Sequence, residues 1–596
     1  MTGRPHWSQV LGDVADLGAS VGAEGRRRAL TAAGEAAAAG ATGEVPAAGG
    51  PVPAPAPAPA PGGDEPGRGR RLLRDNLTVA AGTALSRVTG VGRTVAILGL
   101  SASLADVYLL ANNTPNIIYE LILGGILTAT LVPLFTEHLE RDDEEATSAV
   151  VSVTLVALVV LTALAVVVAP LLILLYSQNV DPDVDAGQFR RIGMELSVLF
   201  VPQIFFYGFM ALGSALLNAR RRFFAAAWAP VLNNVVVVAV LVGAIVFTPG
   251  DLDLARVDDD RRLLLLLGLG TTAGIVGMAV SLLPALWRAG VRIRLRPRFR
   301  HPAVRAAARL SGWTLGYVVA NQVASQIVLV LAVADEGAVR AYQVAFIFFQ
   351  LPHGLLAVSL MTTFQPDLAR AFVQRAWPTF HTRLLQGLRL LVAVMVPASV
   401  GYLTLAVLAT RLIPSTTYAG GPGEDIATAL SGFAPGLLGF SVYLFVLRGF
   451  YAVQDTRRPF WINAVENLLN VVAAVAVGLP FGLLGLTSAY SFAYLAAAAL
   501  ALAVLLRRLP AGFDLAGFVR TLLRCLAAAA VMAGAVVAAV LAVVALDRQR
   551  IDVALGVGVV VGGGTYLVAA LVLGVVADAG LAGRLPGPLH RLDRRR

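Results

Sequence analysis

The sequence predicts an all-α polytopic membrane protein of about fourteen transmembrane helices, in two six-helix lobes around a central cavity plus two extra C-terminal helices. Three observations carry the fold class. Charged residues are only 14% of the chain and hydrophobic residues 57%, whereas a soluble domain is about a quarter charged. Mean hydropathy is +0.74. Apolar runs such as 149–175 and 552–577 recur along the chain. Each is long enough to span, because a ~30 Å hydrocarbon core takes about 20 residues at about 1.5 Å each. This composition excludes an ordinary globular enzyme.

Residues 1–75 read as a disordered cytoplasmic tail rich in Ala, Pro and Gly, with "PVPAPAPAPAPGG" as a polyproline-II-prone linker. The tail holds no apolar core of signal-peptide type. Candidate spans follow at 76–100, 105–135, 147–175, 193–218, 229–248, 263–287, 308–333, 340–363, 387–410, 428–451, 459–480, 483–506, 521–546 and 552–577. They group into an N-lobe (76–290), a C-lobe (291–508) and a final pair (509–577), ahead of a basic tail (578–596).

Alternate loops differ in charge. "NARRRFF", "WRAGVRIRLRPRFRHPAVRAAAR", "QDTRRPF" and "RRLPAGFDLAGFVRTLLR" are rich in Arg, whereas "SQNVDPDVDAGQF", "ADEGAV" and "STTYAGGPGEDIA" are not. The Arg-rich set is expected in the cytoplasm, which places both termini there. The loop 249–262 is mixed and leaves that assignment standing. The net charge of +10 therefore reports membrane orientation and not nucleic-acid binding. Every one of the 47 basic residues is Arg, which reads as codon bias. The single cysteine, Cys525, rules out an intrachain disulfide.

An internal repeat supports the two lobes. "YGFMALGSALLNARRRFFAAAWAPVLNNVVVV", from Tyr207, aligns without a gap on "YLFVLRGFYAVQDTRRPFWINAVENLLNVVAA", from Tyr443. Tyr207/Tyr443, Gly213/Gly449, Arg221/Arg457, Arg222/Arg458, Phe224/Phe460 and Asn234/Asn470 coincide. An even number of spans separates the copies, so the repeat is parallel, and a substrate cavity is expected at its interface.

No catalytic constellation occurs: there is no phosphate loop, no His-Glu-x-x-His and no Cys-His pairing. No soluble stretch is long enough for a nucleotide-binding domain, so secondary transport or flipping remains. "ALSRVTGVGRTVAILGL" sets Arg87 and Arg93 within a span. They lie about 9 Å apart along a helix and about 120° around it, so both could border a wide cavity but not one narrow stripe. Intramembrane charge usually faces a bundle interior or water, and guanidinium suits phosphate bidentately. Snorkelling to a headgroup is the alternative. The second span adds Asp106, Asn112, Asn113, Asn116 and Glu120; the seventh adds Asn321, Gln322 and Gln326; the eighth adds Gln343, Gln350 and His353. Arg448 closes the tenth. In the eleventh, Asn463, Glu466, Asn467 and Asn470 form a candidate cation site, because Glu466 and Asn470 are one helical turn apart. Helix–helix hydrogen bonding would explain any one of these singly.

"SRVTGVGR" followed by "ADVYLLANNTPNIIYELILGGILTATLVPLF" resembles the amino-terminal signature of the MurJ (MviN) family. "GFYAVQDTRRPFWINAVENLLN" and "AYQVAFIFFQLPHGLLAVSL" resemble its later segments, the second in an actinobacterial form. The resemblance spans 76–577. It implies the multidrug/oligosaccharidyl-lipid/polysaccharide exporter fold, with two six-helix lobes around a central cavity and a lipid groove formed by the final pair (509–577), a membrane transporter and no enzyme, and the flipping of lipid II from the inner to the outer leaflet for cell-wall synthesis. It maps cavity contacts onto Arg87, Arg93 and Asp106, to which Asn112, Asn116 and Glu120 are added as substrate-binding candidates. Gram-negative relatives carry further arginines where this chain has Tyr119, Glu120 and Ile347, so its cavity is less basic. The implied partners are lipid II, membrane lipids and the peptidoglycan synthesis machinery. No cofactor or metal is expected, and coupling to Na⁺ or H⁺ stays open. The rival readings are a flippase for another polyprenyl-linked glycan, a cation-coupled drug exporter, and a non-transporting scaffold that docks through residues 1–75.

Overall fold

A computed structural model of the chain describes residues 68–122, 131–141, 143–220, 222–291, 295–411, 423–453, 455, 457–547 and 550–579. The expected tails lie outside these residues over 1–67 and 580–596. The N-terminal boundary is corrected, because helix begins at Arg68 and not after residue 75. Arg and Leu are good helix formers, and "RRLLRDN", residues 70–76, runs into the first span without a Gly or Pro.

Among the described residues every regular element is helical. The N-lobe comprises α1 (Arg68–Leu98), α2 (Ala102–Ile122), α3 (Val132–Glu140), α4 (Glu144–Tyr176), α5 (Ala186–Phe200), α6 (Gln203–Ala219), α7 (Phe223–Phe247), α8 (Leu254–Asp259), α9 (Arg261–Val280) and α10 (Leu283–Arg288). The C-lobe comprises α11 (Pro302–Ala332), α12 (Ala338–Pro352), α13 (Val358–Val373), α14 (Trp377–Arg411), α15 (Gly423–Ala452), α16 (Arg457–Ala473) and α17 (Leu479–Leu506). The final pair is α18 (Leu515–Leu546) and α19 (Ile551–Val572), and a short α20 (Val575–Asp578) follows. Helix lies within each segment expected to span, and residues 123–130 of the second lie outside the described residues. Among the described residues, ten segments are long and apolar enough to cross a membrane.

Local chemistry sets the boundaries. Asp143, Asp185, Asp253, Asp260 and Asp514 each accept a backbone N–H from the first turn of the helix that follows, as short polar side chains at N-caps do. Pro202 breaks the fourth span between α5 and α6, since it offers no N–H to continue the ladder. A π-turn at His353–Ala357 separates α12 from α13 after Pro352, and another at Ala474–Gly478 ends α16. Gly482, at φ +53°, then reverses the chain. A Cβ on Gly485 would lie 2.2 Å from the carbonyl oxygen of Val477. Eight residues along a straight helix would stand about 12 Å apart. Hence α16 and α17 form a hairpin.

The repeat recurs in packing. Helix α1 lies on α7 as α11 lies on α16, and α6 meets α9 as α15 meets α17. A Cβ on Gly213 would touch Leu282, between α9 and α10, at 3.3 Å; one on Gly449 would touch Leu505 of α17 at 2.8 Å. Both glycines therefore let the fourth span of a lobe approach its sixth. Along the central stretch of α15, 83% of residues are buried, against 17% for α18 and for α19. Helix α15 is thus the axis of the C-lobe. The final pair lies outside it against α14, adding Phe518, Cys525 and Ala529 to the lobe's core.

Candidate functional site

The lobes meet at one end. The N–H groups of Gly337 and Arg340 donate to the two carboxylate oxygens of Asp106, each at 2.8 Å. Asp106, on α2, thus caps the N-terminus of α12 in the other lobe, where helical N–H groups lack partners of their own. Around it, the Glu336 N–H donates to Asp181 (3.1 Å) and the Arg340 guanidinium to the Leu100 carbonyl (3.4 Å). Deeper in, Asn113 donates to Gln326 of α11 (3.1 Å), and the Tyr176 hydroxyl reaches the same oxygen. A hydrophobic core spans both lobes here, including Tyr108, Phe200, Val328, Val339 and Leu486.

The other end carries the arginine-rich loops. There the N-lobe has a core of its own, around Phe135, Val151, Leu217 and Leu282. Asp455 pairs with Arg458 (2.6 Å) and Arg508 (3.0 Å). Arg298, between the lobes, pairs with Glu145. The two charge classes of loop seen in the sequence therefore sit at opposite ends.

The N-lobe candidates do not share one face. Arg87 is exposed, beside Val88 and Val91; Arg93 and Asn116 are half-buried. Asp106 and Asn112 are buried, and the Oδ1 of Asn112 has no hydrogen-bond partner. The side chain of Glu120 lies outside the described residues. With both carboxylate oxygens held by backbone N–H groups, Asp106 presents no free face to a ligand in this conformation.

The C-lobe candidates do come together. Asn463, Glu466, Asn467 and Asn470 are all buried on α16. Asn463 and Asn467 each donate to the side-chain oxygen of Asn321 on α11, at 3.0 and 2.7 Å. Three buried oxygens stay unpartnered: Asn463 Oδ1, Glu466 Oε2 and Asn470 Oδ1. Spacings of three and four residues put them on one side of the helix. The phenols of Tyr317, Tyr342, Tyr443, Tyr490 and Tyr494 lie within electrostatic reach of Glu466. One carboxylate with neutral oxygens is a donor set for a hard monovalent cation or a proton. Among the described residues no cluster of three or more His, Cys, Asp or Glu could hold a metal ion. Asn321 is the residue that sequence reasoning left out of the site. Its polarity within a span was the available signal, but only packing shows that it faces α16.

A family model described as lipid II flippase MurJ matches residues 94–546. The chain belongs to the MurJ family. Its relatives include the probable lipid II flippase MurJ of Haemophilus influenzae, 28% identical over 433 residues that cover 68% of this chain and 81% of that one. The lipid II flippase MurJ of Burkholderia cenocepacia is 27% identical over 430 residues, covering 68% and 79%. Among solved structures, a lipid II flippase MurJ in an inward closed conformation aligns with TM-score 0.65 at 19% identity, over 83% of this chain and 98% of that one. An inward-facing multidrug MATE transporter of the MOP superfamily aligns at 0.57 and 13% identity, over 71% and 94%. The fold is the one seen in these solved MurJ and MATE structures, and this MurJ-family chain is a polytopic membrane protein.

Proposed function

We propose that this chain flips lipid II from the inner to the outer leaflet by alternating access, with both termini in the cytoplasm. The observation that carries the reading is the family match over 94–546. The lobe junction supports the alternating step, because the lobes are clasped around Asp106 at the end with the acidic loops. The pyrophosphate head group enters from the arginine-rich end and pairs with Arg87 and Arg93, aided by Asn112, Asn116 and Glu120. The polyprenyl tail stays in the groove of α18 and α19. Rocking of the lobes breaks the Asp106 clasp and opens the cavity outward. An inside-negative potential favours the outward step by ~2.3 kcal/mol per negative charge per 100 mV. A cation or proton at Asn463, Glu466 and Asn470 resets the carrier, and no organic cofactor takes part. The wall-synthesis machinery is the partner that consumes the product.

The test is access of an externally added lipid II-cleaving toxin in cells depleted of this protein. Loss of cleavage while total lipid II rises is the expected result. Unchanged cleavage would mean that a paralogue carries that task, or that this chain moves another polyprenyl-linked glycan. In complemented cells, Arg87→Ala and Arg93→Ala should each cut cleavage at least about tenfold, since a charged hydrogen bond contributes about 1.5–3 kcal/mol. Full activity in both would remove these residues from the site.

A further inference from the structure

A cleft of about 530 Å³ opens between α7 and α9 of the N-lobe. Along α7 it runs from Val235 to Phe247, and Leu263 and Leu266 of α9 form its other wall. Twelve residues of helix rise about 18 Å, close to one leaflet of a ~30 Å hydrocarbon core. The charged residues that line the cleft, Arg256 and Asp260, both stand at its mouth, in α8 and just after it. The mouth belongs to the clasped end of the molecule. There the Ser101 N–H donates to the Leu252 carbonyl at 3.1 Å, beside the Leu100 carbonyl that takes the Arg340 guanidinium.

The way the chain is joined leaves this space. In the C-lobe the counterparts α16 and α17 close directly as a hairpin, whereas residues 248–260 carry α8 between α7 and α9. Helix α9 touches α7 at Val240, where a Cβ on Gly270 would lie 2.7 Å away. One turn nearer the mouth, a Cβ on Gly243 would meet nothing within 4 Å. The mouth itself is firmly built: Asp253 caps α8, Val257 is fully buried, and Arg191 pairs with Asp258 at 2.9 Å. The Asp260 N–H donates to the Arg256 carbonyl at 3.1 Å, so the two side chains leave the backbone one turn apart. Among the described residues neither forms an ion pair, although they carry opposite charges. One Asp260 oxygen accepts the Arg262 N–H at 2.9 Å. Asp259 and Arg262 do not line the cleft.

A fixed cation and a fixed anion thus stand side by side above an apolar cleft one leaflet deep. That pattern complements a lipid head that carries both a phosphate and a primary ammonium. Guanidinium suits phosphate bidentately, and an ammonium brings three N–H donors for a carboxylate. A choline head has no N–H to donate, and phosphatidylglycerol brings no cation for Asp260. We infer that the cleft is a binding site for a phospholipid of the phosphatidylethanolamine class. One acyl chain lies along α7 from Phe247 towards Val235, the phosphate meets Arg256 and the ammonium meets Asp260. The site is separate from α18 and α19, which pack on the other lobe. That the leaflet is the outer one rests on the orientation proposed above; the class of lipid does not.

The test uses the full chain in phosphatidylcholine vesicles with a trace of phosphatidylethanolamine that bears a photoreactive acyl chain. Peptide mass spectrometry maps the label. Label is expected on α7 between Val235 and Phe247, and unlabelled phosphatidylethanolamine should compete at least about tenfold better than phosphatidylcholine or phosphatidylglycerol. Arg256→Gln should cut that advantage about tenfold, the effect of losing one charge-assisted hydrogen bond. Asp260→Asn, which keeps an N-cap for α9, should do the same. Gly243→Leu fills the cleft and should abolish label on α7, while background label on the exposed face of α18 stays constant and reports an intact fold. Equal competition by all three lipids, with no response to the substitutions at the mouth, would reduce the cleft to ordinary lipid contact and overturn the proposal. Stronger competition by phosphatidylglycerol would overturn the zwitterionic assignment. Displacement by a polyprenyl pyrophosphate alone would give the cleft to a transported lipid and overturn it too. Lipid II transport is read separately by toxin access, so a chain that binds phosphatidylethanolamine here but moves no lipid II would refute the flippase reading alone.

Discussion

At the scale of single residues, burial decides what a polar group can do. Asp106 was expected among the substrate contacts, yet it is 3% exposed and fully engaged by two N–H groups of the opposite lobe. A side-chain cap contributes about 1–2 kcal/mol. Asp106→Ala should therefore shift the balance between clasped and separated lobes about tenfold towards separation. Disulfide cross-linking between Asp181→Cys and Glu336→Cys, whose native contact is 3.1 Å, should slow accordingly; undiminished cross-linking would deny Asp106 this role. Glu466 differs in having one oxygen with no partner. If a cation sits there, it raises thermal stability by RT ln(1 + [L]/Kd). Sodium should thus raise the Tm of the native chain and leave that of Glu466→Gln unmoved. A sodium response that survives the substitution would place the ion elsewhere.

At the scale of elements, glycine and proline determine where spans bend or end. Gly482 combines φ +53° with a neighbour that would stand 2.8 Å from an added Cβ, the Asp335 carboxylate. At φ +53°, ψ −137° the backbone is in a sparsely populated region that costs an L-residue on the order of 1–3 kcal/mol, and the contact adds to it. Gly482→Ala should lower the Tm by a few degrees, whereas Gly534→Ala in α18, where nothing lies within 4 Å, should not. Equal effects would mean that the reversal between α16 and α17 tolerates a side chain. The break was legible in the sequence as the boundary between the candidate spans 459–480 and 483–506. The π-turns were not, because π geometry depends on how neighbouring helices crowd the chain and leaves no periodic mark.

At the scale of the whole molecule, charge is segregated by end, and the exceptions serve as clasps. Asp455 sits among the arginines of the basic end. Burial pushes its carboxyl up, but hydrogen bonds from Arg458 and the charges of Arg458 and Arg508 outweigh that and hold it below the usual carboxylate range. A carboxylate with a lowered folded-state pKa contributes stability that is present above its unfolded value, about 3.9, and fades as pH falls through the folded one. Asp455→Asn should hence lower the Tm at neutral pH and converge with the native protein in acid. A constant offset across the pH range would show that shape and not charge makes this clasp.

The sequence by itself determined the class, the spans, the parallel repeat and the family signature. These follow from local hydropathy, from residue spacing and from the 236-residue offset that pairs Asn234 with Asn470, and none depends on distant contacts. It also picked out α16 as a polar helix. Only the tertiary structure decided that Asn321 completes that cluster and that Asp106 closes the lobe junction. The physical reason is that a buried polar residue is defined by its partner. Here the partners lie from 142 to 234 residues away along the chain, where spacing carries no information.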